Sequence, residues 1–114
     1  MLSKMAYDEL LADRIRMCFA GVTNASEKKM FGGLCFLVGG NMACGVTSHG
    51  PMMVRVGVEA YEDALGEPFA RPMDFTGKPL KGMIYVDPDG IRRDADLREW
   101  VERGIAFAES LPVK

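Results

Sequence analysis

The sequence predicts an α+β fold: an antiparallel β-sheet with helices packed on one face, in two layers. Three observations predict it. Residues 34–46 read as a glycine-pivoted hairpin, and a third strand follows after a short turn. Residues 3–20 and 94–111 carry apolar side chains at helical spacing. The strand patterns are grouped while the helical patterns stand apart from them, which separates α+β from an alternating α/β order.

Ser3 to Ala20 reads as an amphipathic helix. Tyr7, Leu11, Ile15 and Cys18 recur on one face, joined by Leu10 and Phe19. Ser3 is the expected N-cap, Asp8 and Glu9 lie toward the positive end, and Gly21 ends the helix. Arg14 and Arg16 are expected in solvent, and Cys18 is expected as a buried, inert thiol. Val22 to Glu27 reads as a polar loop, and Lys28-Lys29 leads into the sheet. Met30-Phe31-Gly32-Gly33 interrupts the strand pattern, which predicts a bulge or a sharp bend.

Leu34 to Val38 and Met42 to Val46 are the arms of the hairpin around Gly39-Gly40-Asn41. Such residues supply the positive φ angles of a two-residue turn. If Gly39-Gly40 is the loop, Cys35 falls opposite Cys44. If Gly40-Asn41 is the loop, the two are diagonal neighbours. Either register puts both thiols on one face, and a three-residue loop would separate them.

Thr47 to Pro51 is a second turn. Met52 to Val56 then alternates, with Met53 and Arg55 on one side and Met52, Val54 and Val56 on the other. Val58 to Leu65 reads as a two-turn helix stopped by Gly66 and Pro68, with Tyr61, Ala64 and Leu65 toward the sheet. Residues 67–80 are proline-rich and irregular, and Arg71 to Phe75 fits either an edge strand or a loop against the core. Lys81 to Val86 is a further strand, and Asp87-Pro88-Asp89-Gly90 closes it as a turn. Asp94 to Leu111 is the last helix, with Asp94 as cap and Leu97, Trp100, Val101, Ala108 and Leu111 as its buried stripe. Glu99 and Arg103 form an i,i+4 pair on its wet face. Gly104 sits in mid-helix, a position usually compensated by close approach of another backbone. The order is therefore helix, three strands, helix, one or two strands, helix. The uncovered face of the sheet is expected to be wet or to form a dimer interface.

A chain of 114 residues is expected to be one domain, 1–114, able to bury roughly two thirds of its unfolded surface. Fourteen basic against 16 acidic residues give a net charge of −2, which argues against non-specific nucleic-acid binding. Three cysteines without CxxC spacing indicate neither a disulfide framework nor a zinc site. No apolar run reaches the length of a membrane span, and no signal-peptide pattern is present, so a soluble cytoplasmic protein is expected.

The segments Lys29-Met30-Phe31-Gly32-Gly33, Asn41-Met42-Ala43-Cys44-Gly45-Val46, Met53-Val54-Arg55-Val56-Gly57 and Lys81-Gly82 resemble the N-terminal domain of the TfoX/Sxy family. Pro72-Met73-Asp74-Phe75-Thr76-Gly77, Trp100-Val101 and Leu111-Pro112 resemble its short stand-alone members. The likeness runs in consistent order over nearly the whole chain. It implies a small α+β domain like that of secretion chaperones, and a role tied to regulation of DNA-uptake competence genes in bacteria. It carries no catalytic residues. Two-domain members continue into a helical C-terminal domain, whereas this sequence stops at Lys114, so a role that works through the second half is not expected to carry over.

Candidate chemistry is sparse. Cys35 and Cys44 are the redox candidates, as a reversible cross-strand disulfide or a thiol sensor, with Arg55 as a source of positive charge that could lower a thiol pKa. The competing reading is two small core residues. His49, the single histidine, lies in a turn and is expected in solvent rather than as a general base. Asp87 to Gly90 resembles the start of a calcium loop, but position twelve is Arg98, not glutamate. Neither Gly32-Gly33 nor Gly39-Gly40 has the strand-to-helix context of a phosphate cradle. No cofactor and no metal site is expected. Lys28, Lys29, Arg55, Arg71, Lys78 and Lys81 are candidates for a positive patch, and Phe31 joins them as a partner-binding candidate. The expected function is a non-enzymatic, regulatory, protein-binding domain that forms a homodimer and docks an unidentified protein partner through the sheet face or edge. The alternatives are a redox-responsive protein using Cys35 and Cys44, or a small ligand-binder or enzyme using a pocket beside segment 67–80.

Overall fold

A computed structural model describes residues 7–30, 32–74 and 77–114. Helix α1 spans Glu9–Cys18, and four strands follow: β1 Ala25–Met30, β2 Gly33–Val38, β3 Asn41–Val46 and β4 Met52–Arg55. Helix α2 is Tyr61–Leu65, β5 is Ala70–Pro72 and β6 is Met83–Val86. A 3-10 turn at Pro88–Ile91 leads into α3, Asp94–Glu109. The six strands form one open antiparallel sheet in the order β1-β2-β3-β4-β6-β5. The expected α+β class is what the structure has.

Helix α1 starts later than the apolar pattern suggests. Asp8, not Ser3, is its cap: one carboxylate oxygen accepts from the amides of Leu10 at 2.9 Å and Leu11 at 3.1 Å. Ser3 lies outside the described residues. Leu11, Ala12 and Ile15 are buried, whereas Leu10 is 76% exposed and does not belong to the stripe. Nor are the arginines free in solvent. Arg14 donates to the carbonyls of Ile91 and Arg92 and to Asp94, tying α1 to the start of α3. Asp94 is thus the first helical residue and an ion-pair partner; the cap position belongs to Arg93 and makes no side-chain cap bond. Arg16 joins Asp13 and Glu27, tying α1 to β1.

Strand β1 replaces the polar loop expected at 22–27. Five of its six residues are exposed, so there is no apolar alternation to read. Its backbone pairs along the whole of β2, from Ala25 opposite Val38 to Met30 opposite Gly33. The glycines at 32 and 33 therefore mark a reversal between two strands, the sharp bend of the two alternatives and not the bulge.

The bulge lies in β3. Gly39 and Gly40 both have positive φ, and Val38 pairs with Asn41 across them. Leu37 pairs with Met42, yet Phe36 pairs with Cys44, so Ala43 is an extra residue without a partner. Gly104 of α3 sits directly on this spot: a Cβ there would collide with the Ala43 carbonyl oxygen. The close backbone approach expected at Gly104 is present, and the bulge is what it meets. Asn41 Nδ2 donates to the Pro112 carbonyl at 2.9 Å, and the Lys114 amide donates to the Gly39 carbonyl at 2.8 Å, which binds the tail to the same hairpin.

The helices cover one face of the sheet. Phe36, Val46, Met52, Val54, Ile84 and Val86 meet Ile15, Leu97, Trp100, Val101 and Ala108 there. Leu111, placed in the buried stripe from the sequence, is only half-buried beyond the helix end. The opposite face carries a small dry cluster of its own: Cys35, Met53, Met73 and Tyr85 are buried, flanked by Met30, Met42 and Met83. Its centre is therefore not wet, because Met73, the residue after the edge strand β5, is fully buried in it.

The bulge contact gives a substitution whose sign opposes helix propensity. In a solvated helix Gly→Ala is expected to stabilise by about 1 kcal/mol. Gly104→Ala is expected instead to destabilise this protein by about 2 kcal/mol through overpacking against Ala43, read as a lower midpoint in urea unfolding at unchanged m-value.

Candidate functional site

Where β4 ends and β6 begins, two glycines let two loops touch. Gly57 and Gly82 both have positive φ, and the Gly82 carbonyl accepts from the amides of Val56 at 2.8 Å and Gly57 at 3.1 Å. A side chain at Gly57 would strike the Phe107 ring, so glycine is needed there for space as well as for backbone conformation. Phe107, on the flank of α3, thereby reaches the strand ends. The guanidinium of Arg55, last residue of β4, lies 5.2 Å above the Phe107 ring centroid.

These groups line a cavity of about 400 Å³ together with Val56, Val58, Glu59, Lys81 and Met83. Val56, Ala60 and Phe107 also border a second groove along α2 and α3, which Asp63, Glu67, Arg103 and Ser110 close. Arg103 holds Glu67 at 3.1 Å and lies 4.5 Å from the Trp100 ring, so the guanidinium of that groove already has a carboxylate. The cavity beside Arg55 differs: among the described residues no ion pair involves Arg55 or Lys81. The arrangement can hold an anion against an apolar wall.

The expected positive patch divides. Arg55 and Lys81 both line the cavity. Lys28 and Lys29 are exposed on β1, three strand positions away from β4 and on opposite faces of the sheet, opposite Cys35 and Leu34 respectively. Arg71 on the far edge is held by Asp87 at 3.0 Å and lies 4.9 Å from the Tyr85 ring. Lys78 is exposed between β5 and β6. Phe31 lies outside the described residues. His49 is exposed, with its ring edge-on to Tyr85 at 5.5 Å. Asp87 and Asp89 are taken up by Arg71 and Arg92. Among the described residues no group of three or more His, Cys, Asp and Glu is arranged to hold a metal ion. Among them, too, no helix is long and apolar enough to cross a membrane.

Cys35 and Cys44 do not share a face, which corrects the expectation from the turn alone. The loop is Gly39-Gly40, but the bulge at Ala43 shifts the ladder by one residue. Cys44 joins the helix-side core and Cys35 the opposite cluster. A disulfide between them would need the central ladder to come apart. Burial pushes the Cys35 thiol up to about 11 from an ordinary 9.0, and pushes Cys44 higher still. Half-buried Cys18 is raised by burial too. No cation lowers the two strand thiols, so Arg55 does not activate Cys35.

Sequence reasoning missed Phe107 and Glu59 as cavity residues. Phe107 had a signal, since it lies three residues after Gly104 and seven after Trp100, on the flank of the buried stripe. Glu59 had none.

The buried thiols make stability depend on alkaline pH. A thiol whose folded pKa exceeds its unfolded value stabilises fully below the unfolded value and loses that contribution as pH rises. Unfolding free energy is expected to fall between pH 9.0 and about 11, by up to about 1.4 kcal/mol per pH unit for each thiol. Cys44→Ala should flatten that slope. Native thiol titration at pH 8 should find Cys35 and Cys44 unreactive until the chain unfolds.

Comparisons with curated proteins and with solved structures return no match. The family model described as "TfoX N-terminal domain" matches residues 17–108, from the end of α1 to the last turns of α3. The match includes the hairpin and its bulge, the two loops that meet at Gly57 and Gly82, and the helix that brings Phe107 to them. The chain belongs to the TfoX N-terminal domain family.

Proposed function

We propose that this is a non-catalytic regulatory domain that works by docking a protein partner along the β1 edge. The observation that carries this reading is the edge itself. Strand β1 ends the sheet order, runs for six residues and is exposed along nearly all of it. Its outer backbone groups suit the addition of a further strand. Lys28 and Lys29 put one positive charge on each face of that edge, which favours an extended, acidic segment. Family membership supports a regulatory role tied to DNA-uptake competence, and the net charge of −2 favours a protein over a nucleic acid as partner. Three free cysteines suit a reducing, cytoplasmic setting.

A second copy of the chain fits the edge poorly. A two-fold axis through an antiparallel strand pair sets some residue opposite itself. Within the charged middle of β1 that residue is Glu27, Lys28 or Lys29, and each choice opposes like charges. A homodimer, if it forms, is expected to use another surface.

The test captures partners from the native host with the full chain as bait, beside a Lys28→Glu, Lys29→Glu variant. A partner with an acidic segment is expected to be retained about tenfold less by the variant. Equal retention by both baits would exclude β1 as the docking edge. Light scattering of the purified chain should give the same mass for both.

A further inference from the structure

We propose that the cavity at the ends of β4 and β6 binds a monocarboxylate carried on an apolar body. The state of its arginine is the first reason. Four arginines are half-buried among the described residues: Arg14, Arg16, Arg55 and Arg103. Three of them hold a carboxylate of this chain, Asp94 for Arg14, Asp13 and Glu27 for Arg16, and Glu67 and Glu99 for Arg103. Arg55 alone holds none among those residues. A guanidinium partly withdrawn from water is best satisfied by a planar oxyanion, which its fork of donors matches at two points. The guanidinium carbon lies 5.2 Å over the Phe107 ring centroid, so an aromatic ring supports the charged group beside the cavity.

Charge and shape narrow the ligand. Arg55, Lys81 and Glu59 line the cavity, so its side chains sum to one positive charge. One negative charge balances that sum, whereas a phosphate near its dianionic form would overshoot it. Val56, Val58, Met83 and Phe107 supply an apolar wall. About 400 Å³ lies near the lower end of the range for ligand pockets, enough for a short aliphatic or aromatic body. The glycines keep the space open, since a side chain at Gly57 would meet Phe107 and one at Gly82 would approach the Gly57 backbone at 3.2 Å. Strands β2 and β3 separate this cavity from the β1 edge, so the site stands independently of partner docking there.

A carboxylate on an apolar body could be a small free acid or the last residue of a peptide. The full chain, labelled for amide NMR, is titrated to about 10 mM with hexanoate, with an acetylated tripeptide ending in a free-carboxyl leucine, and with the neutral amide of each. Saturable shifts confined to residues 55–59 and 81–83 are expected with the acids and not with the amides. Arg55→Gln is expected to weaken binding about tenfold and Lys81→Gln about threefold. Lys81 is exposed, so that variant keeps the test alive even where Arg55→Gln perturbs packing on Phe107. Tighter binding of the tripeptide identifies a chain terminus as the ligand, and equal or tighter binding of hexanoate identifies a free acid. No saturable shift with either acid, equal binding of the amides, or unchanged affinity in both variants would overturn the site.

Discussion

The backbone of α3 lies against the backbone of β3, and most of the molecule's arrangement depends on that contact. Gly104 brings the helix down onto the Ala43 carbonyl, closer than any residue with a Cβ would allow. The glycine costs helix propensity, about 1 kcal/mol against alanine. The approach it permits presses Trp100, Val101, Ile105 and Ala108 into the sheet along β2, β3 and β4. Arg14 then clamps α1 to the start of α3, and the tail returns to the hairpin through Asn41 and Gly39. One close approach therefore sets the height of the helical layer and the position of both its neighbours.

The same contact leads to the two features that bear on function. Phe107 lies three residues beyond Gly104 and so hangs over the end of β4, where Gly57 makes room for its ring. Arg55 rests on that ring, and the cavity follows. The bulge that meets Gly104 also divides the thiols. With one extra residue in β3, the ladder beyond it is displaced by a single position, and a one-residue slip exchanges faces. Cys44 turns toward the helices and Cys35 away from them. Burial without a cation raises both pKa values, the reverse of what a thiol sensor needs.

Charge is distributed with similar economy. Most half-buried arginines hold elements together: α1 to α3, α1 to β1, and the segment after α2 to α3. Lys28 and Lys29 put positive charge on both faces of the exposed β1 edge. Among the described residues Arg55 is the half-buried arginine that holds no carboxylate, and it lines one cavity with Gly57, Lys81 and Gly82, all four within segments that carry the family resemblance.

Local chemistry was readable in the sequence wherever a residue has only one comfortable conformation or only one comfortable neighbour. Gly39-Gly40-Asn41 announced a two-residue turn at one of two positions, the stripe from Leu97 to Ala108 marked the buried side of α3, and Gly104 announced a backbone contact. The residues of β4 and β6 are apolar runs buried on both faces, Met52, Val54, Ile84 and Val86 toward the helices and Met53 and Tyr85 away from them. Strand β1 was not legible, because an exposed edge strand is held by its ladder and carries no apolar period. The bulge at Ala43 was not legible either, since it answers to a helix sixty residues away and not to its own neighbours. The first turn of α1 belongs to Asp8, whose carboxylate takes the free amides of Leu10 and Leu11. The cavity arises only when Gly57, Gly82 and Phe107 converge from three elements. Sequence determined the helices and the apolar strands, because their side-chain period is local; packing between distant backbones decided the exposed edge strand, the register, the faces of the thiols and the half-buried guanidinium that holds no carboxylate among the described residues.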